Sequence, residues 1–372
     1  MAILLVMSIS LMLHPPVNAK GTGWFFDLRG LVLTKQAVPG TPSDVIAHRV
    51  TYLSTATNGI PVLVTGLVMR PAGTPPAGGW PVVSWGHGTT GLADKCAPSR
   101  DDDYVNYAPF QAFLDAGYAV VATDYEGLGG LGLHPYLVAE SEARSMIDMV
   151  RAADRLGPQF SDTWFSVGHS QGGHAAVAAG DASQRYGDGL DLRGTISFAP
   201  APDASPIAGE VHTLDPFVRG LYVMMLLGLK TQNPRLDLQD YLGPDAMNLL
   251  PVARTECYEE VVGAYYELPA EEFEVSDPVA VDRLRTLLSD NAVPRAGSDA
   301  PLLILQGEED WINPPLGAEW IAEKACSLDW EQKLTLYPDT GHLDITDVAM
   351  PDAIDWLDAR LAGEPAPDDC PA

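Results

Sequence analysis

Short apolar runs alternate with helical stretches through most of this chain, and that alternation restricts the fold more than any other feature. "WPVVSWGHG" (80–88), "AVVATDYEGLGG" (119–130), "WFSV" (164–167), "LRGTISFAPA" (192–201), "APLLILQG" (300–307) and "QKLTLYP" (332–338) read as strands. Between them "FQAFLDAGY" (110–118), "GGHAAVAAGDASQRY" (172–186), "PPLGAEWIAEKAC" (314–326) and "DVAMPDAIDWLDARLAG" (347–363) read as helices. Residues 138–156 are amphipathic, with Ala143, Met146, Ile147, Val150 and Ala153 at helical spacing. Apolar strands that alternate with helices need cover on both faces, which predicts a mostly parallel sheet flanked by helices. Ahead of this pattern, 45–56 and 60–70 read as two strands joined at Asn58-Gly59, a type I′ turn signal.

The alternation stops near residue 203 and resumes near 299. The stretch 204–298 is rich in Pro, Glu and short helical patterns. A chain of 372 residues suits one α/β domain carrying such an insertion. The expected organisation is a core from 20–203 and 299–372, with a mainly helical cap at 204–298. The polar tail "EPAPDDCPA" would be disordered unless Cys370 is tied down.

Fifty acidic residues against 22 basic ones give a formal charge of −28. Such a surface repels phosphate backbones and anionic membranes, which argues against nucleic acid as a partner. Solubility is the plain reading of this charge, and adaptation to salt the sharper one. Residues 2–13 are apolar and fit a signal-peptide core, too short to span a bilayer. Val17-Asn18-Ala19 offers a cleavage site before Lys20, so 1–19 is expected to be a signal peptide, although a basic start is missing. A frayed apolar end is the alternative. No other run approaches membrane-spanning length. Four cysteines, Cys96, Cys257, Cys326 and Cys370, suggest two disulfides in an exported chain, and their spacing leaves three pairings open. It contains no C-x-x-C metal pattern.

The strand "WFSV" runs into Gly168-His169-Ser170-Gln171-Gly172, and a helix follows at once. With 35 glycines in the chain, Gly-x-Ser-x-Gly alone can arise by chance. The strand–turn–helix context makes Ser170 a candidate nucleophile on a sharp turn, where a Cβ at position 168 or 172 would collide. A serine hydroxyl needs a base, and the base an orienting acid, in the chain order Ser, acid, His. His342 follows the last strand in "YPDTGHLD" and is the candidate base. The other histidines lie in the leader (His14), upstream (His48), in the insertion (His212), before a helix (His134), or around the nucleophile (His87, His169, His174). Asp310, after "LLILQG", is the candidate acid, with Glu309 and Asp203 as rivals. Two N–H groups must hold the developing oxyanion. Gln171 should give one and the loop "GHGTTG" (86–91) the other, through Thr89 or Gly88. In the cap, "FVRGLYVMMLLGLK" (217–230) offers Tyr222, Met224, Met225 and Leu227 as lining for an acyl pocket. They serve equally as the cap's own core. "DDD" at 101–103 reads as a solvated acidic turn rather than a cation site.

"GHGTTG", "TDYEGLG" (123–129), "GHSQGG" (168–173) and the Asp310 and His342 loops together resemble the secretory lipase family, α/β-hydrolases of the yeast lipase A type. The resemblance covers roughly 45–360. It implies an α/β-hydrolase fold with a cap between the sixth and seventh core strands. It also goes with pairing Cys96 to Cys257 and Cys326 to Cys370. The activity it implies is an exported, secreted or periplasmic esterase or lipase that acts on small-molecule or lipid esters through an acyl-enzyme, with no metal or organic cofactor. An acyltransferase or peptidase with the same residues is the nearest alternative, and a non-catalytic binding protein on the same fold is the alternative from another class.

Overall fold

The computed structural model describes residues 27–371, and the leader at 1–19 lies outside the described residues. Nine strands form one sheet: β1 (Val32–Ala37), β2 (Val45–Thr55), β3 (Pro61–Pro71), β4 (Trp80–Gly86), β5 (Ala119–Thr123), β6 (Phe160–His169), β7 (Asp191–Phe198), β8 (Leu302–Gly307) and β9 (Gln332–Tyr337). Their order is β1-β2-β3-β5-β4-β6-β7-β8-β9. The first three strands pair antiparallel, as does β3 with β5, and every pair from β5–β4 onward is parallel.

Among the described residues there are eleven α-helices: α1 (Ala108–Asp115), α2 (Ala139–Arg155), α3 (Gln171–Tyr186), α4 (Phe217–Gln232), α5 (Pro244–Asn248), α6 (Leu250–Thr255), α7 (Tyr258–Tyr266), α8 (Pro278–Ser289), α9 (Pro315–Cys326), α10 (Ile345–Val348) and α11 (Met350–Leu361). Neighbouring strand residues feed opposite faces. Val82, Val121 and Trp164 join Met146 and Ile147 of α2, Ala176 of α3 and Ile321 of α9 in one core. Val83, Val120 and Phe165 join Phe110 and Phe113 of α1 and Leu357 of α11 in the other. Each fully buried large apolar side chain contributes about 1.5–3 kcal/mol, and this two-sided burial is what demands the parallel arrangement.

Two local expectations are corrected, and one strand joins those the sequence suggested. β1 had no clear signal in the sequence, because it pairs along the sheet edge with most of its residues exposed. The turn at Asn58-Gly59 is not type I′. Only Gly59 has positive φ there, Gly59 N donates to Ala56 O, and Ala56 N donates to Ile60 O. That is a three-residue loop, which the adjoining Pro61 and the Asn58 side-chain bond to Ile60 N accompany. The helix expected at 347–363 breaks at Ala349, where Pro351 starts a new first turn.

The chain between β7 and β8 folds into short 3-10 turns and the helices α4–α8. It buries its own cluster, including Tyr222, Met224, Tyr265 and Leu284. Its place in the strand order follows from β1, which adds one strand ahead of the count expected from the sequence.

Candidate active site

β6 ends at His169 and α3 begins at Gln171, so Ser170 alone makes the turn. Its φ of +59° and ψ of −119° lie outside the regions an L-residue favours. Surrounding bonds hold it there. Ser170 N donates to Phe198 O at 2.9 Å, and Ser170 O accepts from His174 N and Ala201 N, both at 3.1 Å. The flanking glycines are needed for space. A Cβ on Gly168 would stand 2.1 Å from Gly172 O, and one on Gly172 would stand 1.8 Å from Gly86 O at the end of β4. The first collision is across the turn, as the sequence pattern suggests, but the second is against the neighbouring strand.

The loops after β8 and β9 bring Asp310 and His342 to this turn. His342 Nε2 lies 2.9 Å from Ser170 Oγ, and His342 Nδ1 lies 2.7 Å from Asp310 Oδ2. Asp310 is almost fully buried, and four donors surround its carboxylate. Ile312 N and Asn313 N bond to Oδ1, while Gln306 Nε2 and His342 Nδ1 bond to Oδ2. Those bonds leave the carboxylate one orientation. The rivals lie elsewhere: Glu309 is exposed, and Asp203 accepts from Ser205 N and Oγ at the start of a 3-10 turn.

Gln171 opens α3, so its N–H has no acceptor within the helix. Gly88 and Thr89 border the same cavity as Ser170. Gly88 O accepts from His87 Nδ1 at 2.6 Å. A trans peptide sets N–H opposite C=O, so this bond turns the Thr89 N–H away from His87. Burial lowers the His87 pKa, which keeps that ring neutral. Thr89 Oγ1 shares a hydrogen bond of 2.8 Å with Tyr136 OH.

The cavity above Ser170 measures about 490 Å³. Tyr104, Tyr107, Tyr136 and Leu343 line it from the core, and Leu221 and Tyr258 from the cap. Tyr222, Met224, Met225 and Leu227 do not border it. They are buried in the cap's own cluster, and Met225 alone edges a small separate crevice beside His174. α4 is apolar around nearly its whole circumference, so its sequence could not say which edge faces the site. The edge that does so carries Phe217 and Leu221, one turn apart. Phe217 meets the Trp311 ring at 5.1 Å and Leu221 reaches the cavity. The sequence reading also passed over the tyrosines of the core wall, although "DDDYVNYAPF" and Tyr136 hold three of them close to the oxyanion loop.

Disulfides join Cys96 to Cys257 and Cys326 to Cys370. The first binds the start of α7 beside the 86–91 loop, where Tyr258 N also donates to Thr90 O at 2.9 Å. The second holds the tail against α9, and Asp369 N donates to Gln332 O at 2.7 Å. Asp101 accepts from Asp103 N, and Asp102 pairs with Arg49 at 2.8 Å. Among the described residues no group of three or more His, Cys, Asp or Glu is placed to hold a metal ion, and no helix is long and apolar enough to cross a membrane.

His169, next to Ser170, supports the His342 loop. Its Nε2 donates to the His342 carbonyl at 2.8 Å, and burial together with the His342 ring holds its pKa down to about 4. Glu142 and Asn291, which the sequence reading did not single out, are buried behind the turn. A signal for Glu142 existed, since it falls beside Ala143 on the apolar stripe of α2.

The strand order, the turn at Ser170 and the helical segment before β8 define an α/β-hydrolase with a helical insertion. Solved structures agree on the fold. Candida antarctica lipase A superposes with a TM-score of 0.76 at 21% identity, covering 92% of this chain and 84% of that one. The rice cell wall degrading esterase LipA from Xanthomonas oryzae gives 0.74 at 20% identity, covering 91% of this chain and 100% of that one. Residues 105–369 match the secretory lipase family, and the chain belongs to that family. Among curated relatives, Lipase A of Arthroderma benhamiae is 24% identical over 267 residues, which are 68% of this chain and 55% of that protein. Lipase 10 of Candida albicans is 24% identical over 283 residues, 69% of this chain and 58% of that one. The chain thus spans little more than half the length of these relatives.

Proposed function

We propose that this protein is a serine carboxylic-ester hydrolase, an esterase or lipase, that works through an acyl-enzyme. The observation that carries the proposal is the unbroken hydrogen-bonded chain from Asp310 through His342 to Ser170 Oγ at the border of an open cavity. Ser170 Oγ attacks the ester carbonyl while His342 Nε2 takes its proton. Asp310 keeps the proton of the neutral ring on Nδ1 and stabilises the imidazolium that forms. The tetrahedral oxyanion is met by the N–H groups of Gln171 and Thr89, with Gly88 giving the loop room to approach. One such donor is worth about 100- to 1,000-fold in rate. His342 returns the proton to the departing alcohol, then activates water to release the acid.

Membership of a family named for secretion supports export, to the outside or to a periplasm, and two disulfides fit an oxidising compartment. Residues 204–298 act in this reading as the cap that closes one wall of the cavity, through Leu221 and Tyr258.

The test is hydrolysis of p-nitrophenyl esters from acetate to palmitate by the wild type and Ser170→Ala, together with labelling by a fluorophosphonate probe. Expected are turnover by the wild type, labelling at Ser170, and loss of both in the variant. Full activity in Ser170→Ala overturns the mechanism, and absence of labelling in folded wild type favours a binding protein. Labelling without ester turnover points to acyl transfer or peptide cleavage.

A further inference from the structure

Directly behind the Ser170 turn lies a cluster of buried polar side chains that the mechanism above does not use. Glu142 is fully buried within α2. Its Oε1 accepts from Gln171 Nε2 at 2.8 Å and from Leu137 N at 3.1 Å. Its Oε2 accepts from His174 Nδ1 at 2.8 Å, and His174 Nε2 donates to Asn291 O at 2.8 Å. Both ring nitrogens of His174 thus face oxygens, one a carboxylate and one a carbonyl, an arrangement that suits an imidazolium. Burial opposes that charge, but the Glu142 hydrogen bond and charge outweigh it and raise the His174 pKa above its ordinary value. Gln171 Nε2 also reaches His134 Nε2 at 2.8 Å, and His134 Nδ1 donates to Glu126 O at 2.9 Å. Both oxygens of Glu142, both ring nitrogens of His174 and both ring nitrogens of His134 have partners.

We propose that Glu142 and His174 are positioning residues for the Ser170–Gln171 peptide, and that through Asn291 they tie the exit of the cap segment to it. The proposal rests on the reading of Gln171 N–H as an oxyanion donor. The carbonyl of that peptide, Ser170 O, is bonded by His174 N and Ala201 N. Because N–H and C=O of a trans peptide point opposite ways, fixing the carbonyl aims the Gln171 N–H. Glu142 grips both ends of this arrangement. One oxygen holds the Gln171 side chain, and the other holds the residue whose N–H takes the carbonyl. Asn291 follows α8 where the chain returns to the sheet, and its Oδ1 accepts from Ala139 N at 3.2 Å. The charge of His174 has a second use. A lone carboxylate this close to the turn would oppose negative charge on the substrate oxygen, and the imidazolium cancels it.

Two variants test this. Glu142→Gln keeps the volume and an acceptor for Gln171 but removes the partner charge of His174. Gln171→Ala keeps the backbone N–H and removes the tether. For each, kcat and KM on p-nitrophenyl butyrate are measured alongside the inhibition constant of phenylboronic acid, whose tetrahedral serine adduct mimics the intermediate, and Tm. Expected is a fall in kcat of about 10- to 100-fold, with KM within about threefold and boronate affinity weakened in parallel. A simple packing role would lower Tm without that parallel. Folded variants with kcat within twofold of wild type overturn the proposal, as does a fall in kcat with unchanged boronate affinity. If Glu142→Gln does not fold, Gln171→Ala decides, since it leaves the ion pair intact. Failure of the underlying enzyme reading looks different: the wild type itself would not turn over ester.

Discussion

The sheet and the cap hold their site residues in different ways. Ser170, Asp310 and His342 each follow a strand within a few residues, so the ladder fixes their backbones and the hydrogen-bonded chain fixes their side chains. In the cap, α4 buries residues 222–229 in the cap's own cluster, and its Leu221 edge turns toward the cavity. The contrast teaches that, in the proposed mechanism, the reacting groups are held just beyond strand ends, whereas the shape of the cavity's cap wall depends on the rotation of one helix. A change of one residue in α4 moves a side chain by about 100° around the axis.

The largest expected effect is on the sheet side. Asp310→Asn keeps the shape of the acid but removes its charge and invites the wrong His342 tautomer, so kcat should fall about 1,000- to 10,000-fold with KM little changed. Steady-state kinetics on a short-chain ester checks it, and a loss below tenfold would break the claim that the strand-end carboxylate drives the chemistry. On the cap side, Met224→Ala should cost about 2–5 kcal/mol of stability, read by denaturant unfolding, with the acyl-length profile unchanged. Leu221→Phe should do the reverse, shifting the profile to shorter acyl chains with only a small stability change. Should Met224→Ala move the profile more than Leu221→Phe, the division between cap core and cavity wall is drawn in the wrong place.

The smallest effect concerns His169, where two sheet loops meet. Its folded pKa of about 4 lies below the unfolded value near 6.5, so between those pH values the unfolded chain binds a proton that the folded chain refuses. Stability falls as pH drops, by about 2 kcal/mol at pH 5 from this group. His169→Asn lacks the group, so its Tm deficit relative to wild type should shrink between pH 7.5 and pH 5. A deficit that stays constant would show that His169 titrates as an exposed histidine does, and one that grows would show a pKa raised by folding.

How much of this was legible in the sequence follows from how local each signal is. Ser170 announces itself because its glycines, strand and helix are neighbours in the chain. Asp310 and His342 are legible because each lies on the loop after a strand, in the expected order. The cavity wall was not legible, because Leu221 and Tyr222 differ by one position on a helix that is apolar all round. Tyr258 reaches the site through contacts distant in sequence, the pairing of Cys257 with Cys96, 161 residues apart, and the bond from Tyr258 N to Thr90 O. Glu142 offered a weak signal, a carboxylate on an apolar stripe, but its partners Gln171, His174 and Asn291 come from distant segments. The turn at Asn58-Gly59 was misread because a dipeptide preference does not fix loop length.

The order of the cysteines along the chain has a bearing on assembly. Cys96 and Cys257 close one loop, Cys326 and Cys370 close the next, and neither loop encloses or crosses the other. Ser170 rides in the first loop, His342 in the second, and Asp310 on the stretch between them. In a chain that oxidises as it emerges, the second cysteine to arrive is the proper partner of the first, and the fourth of the third. The native bridges are therefore those that strict first-come pairing produces, so this protein can acquire both without ever needing to exchange one bridge for another.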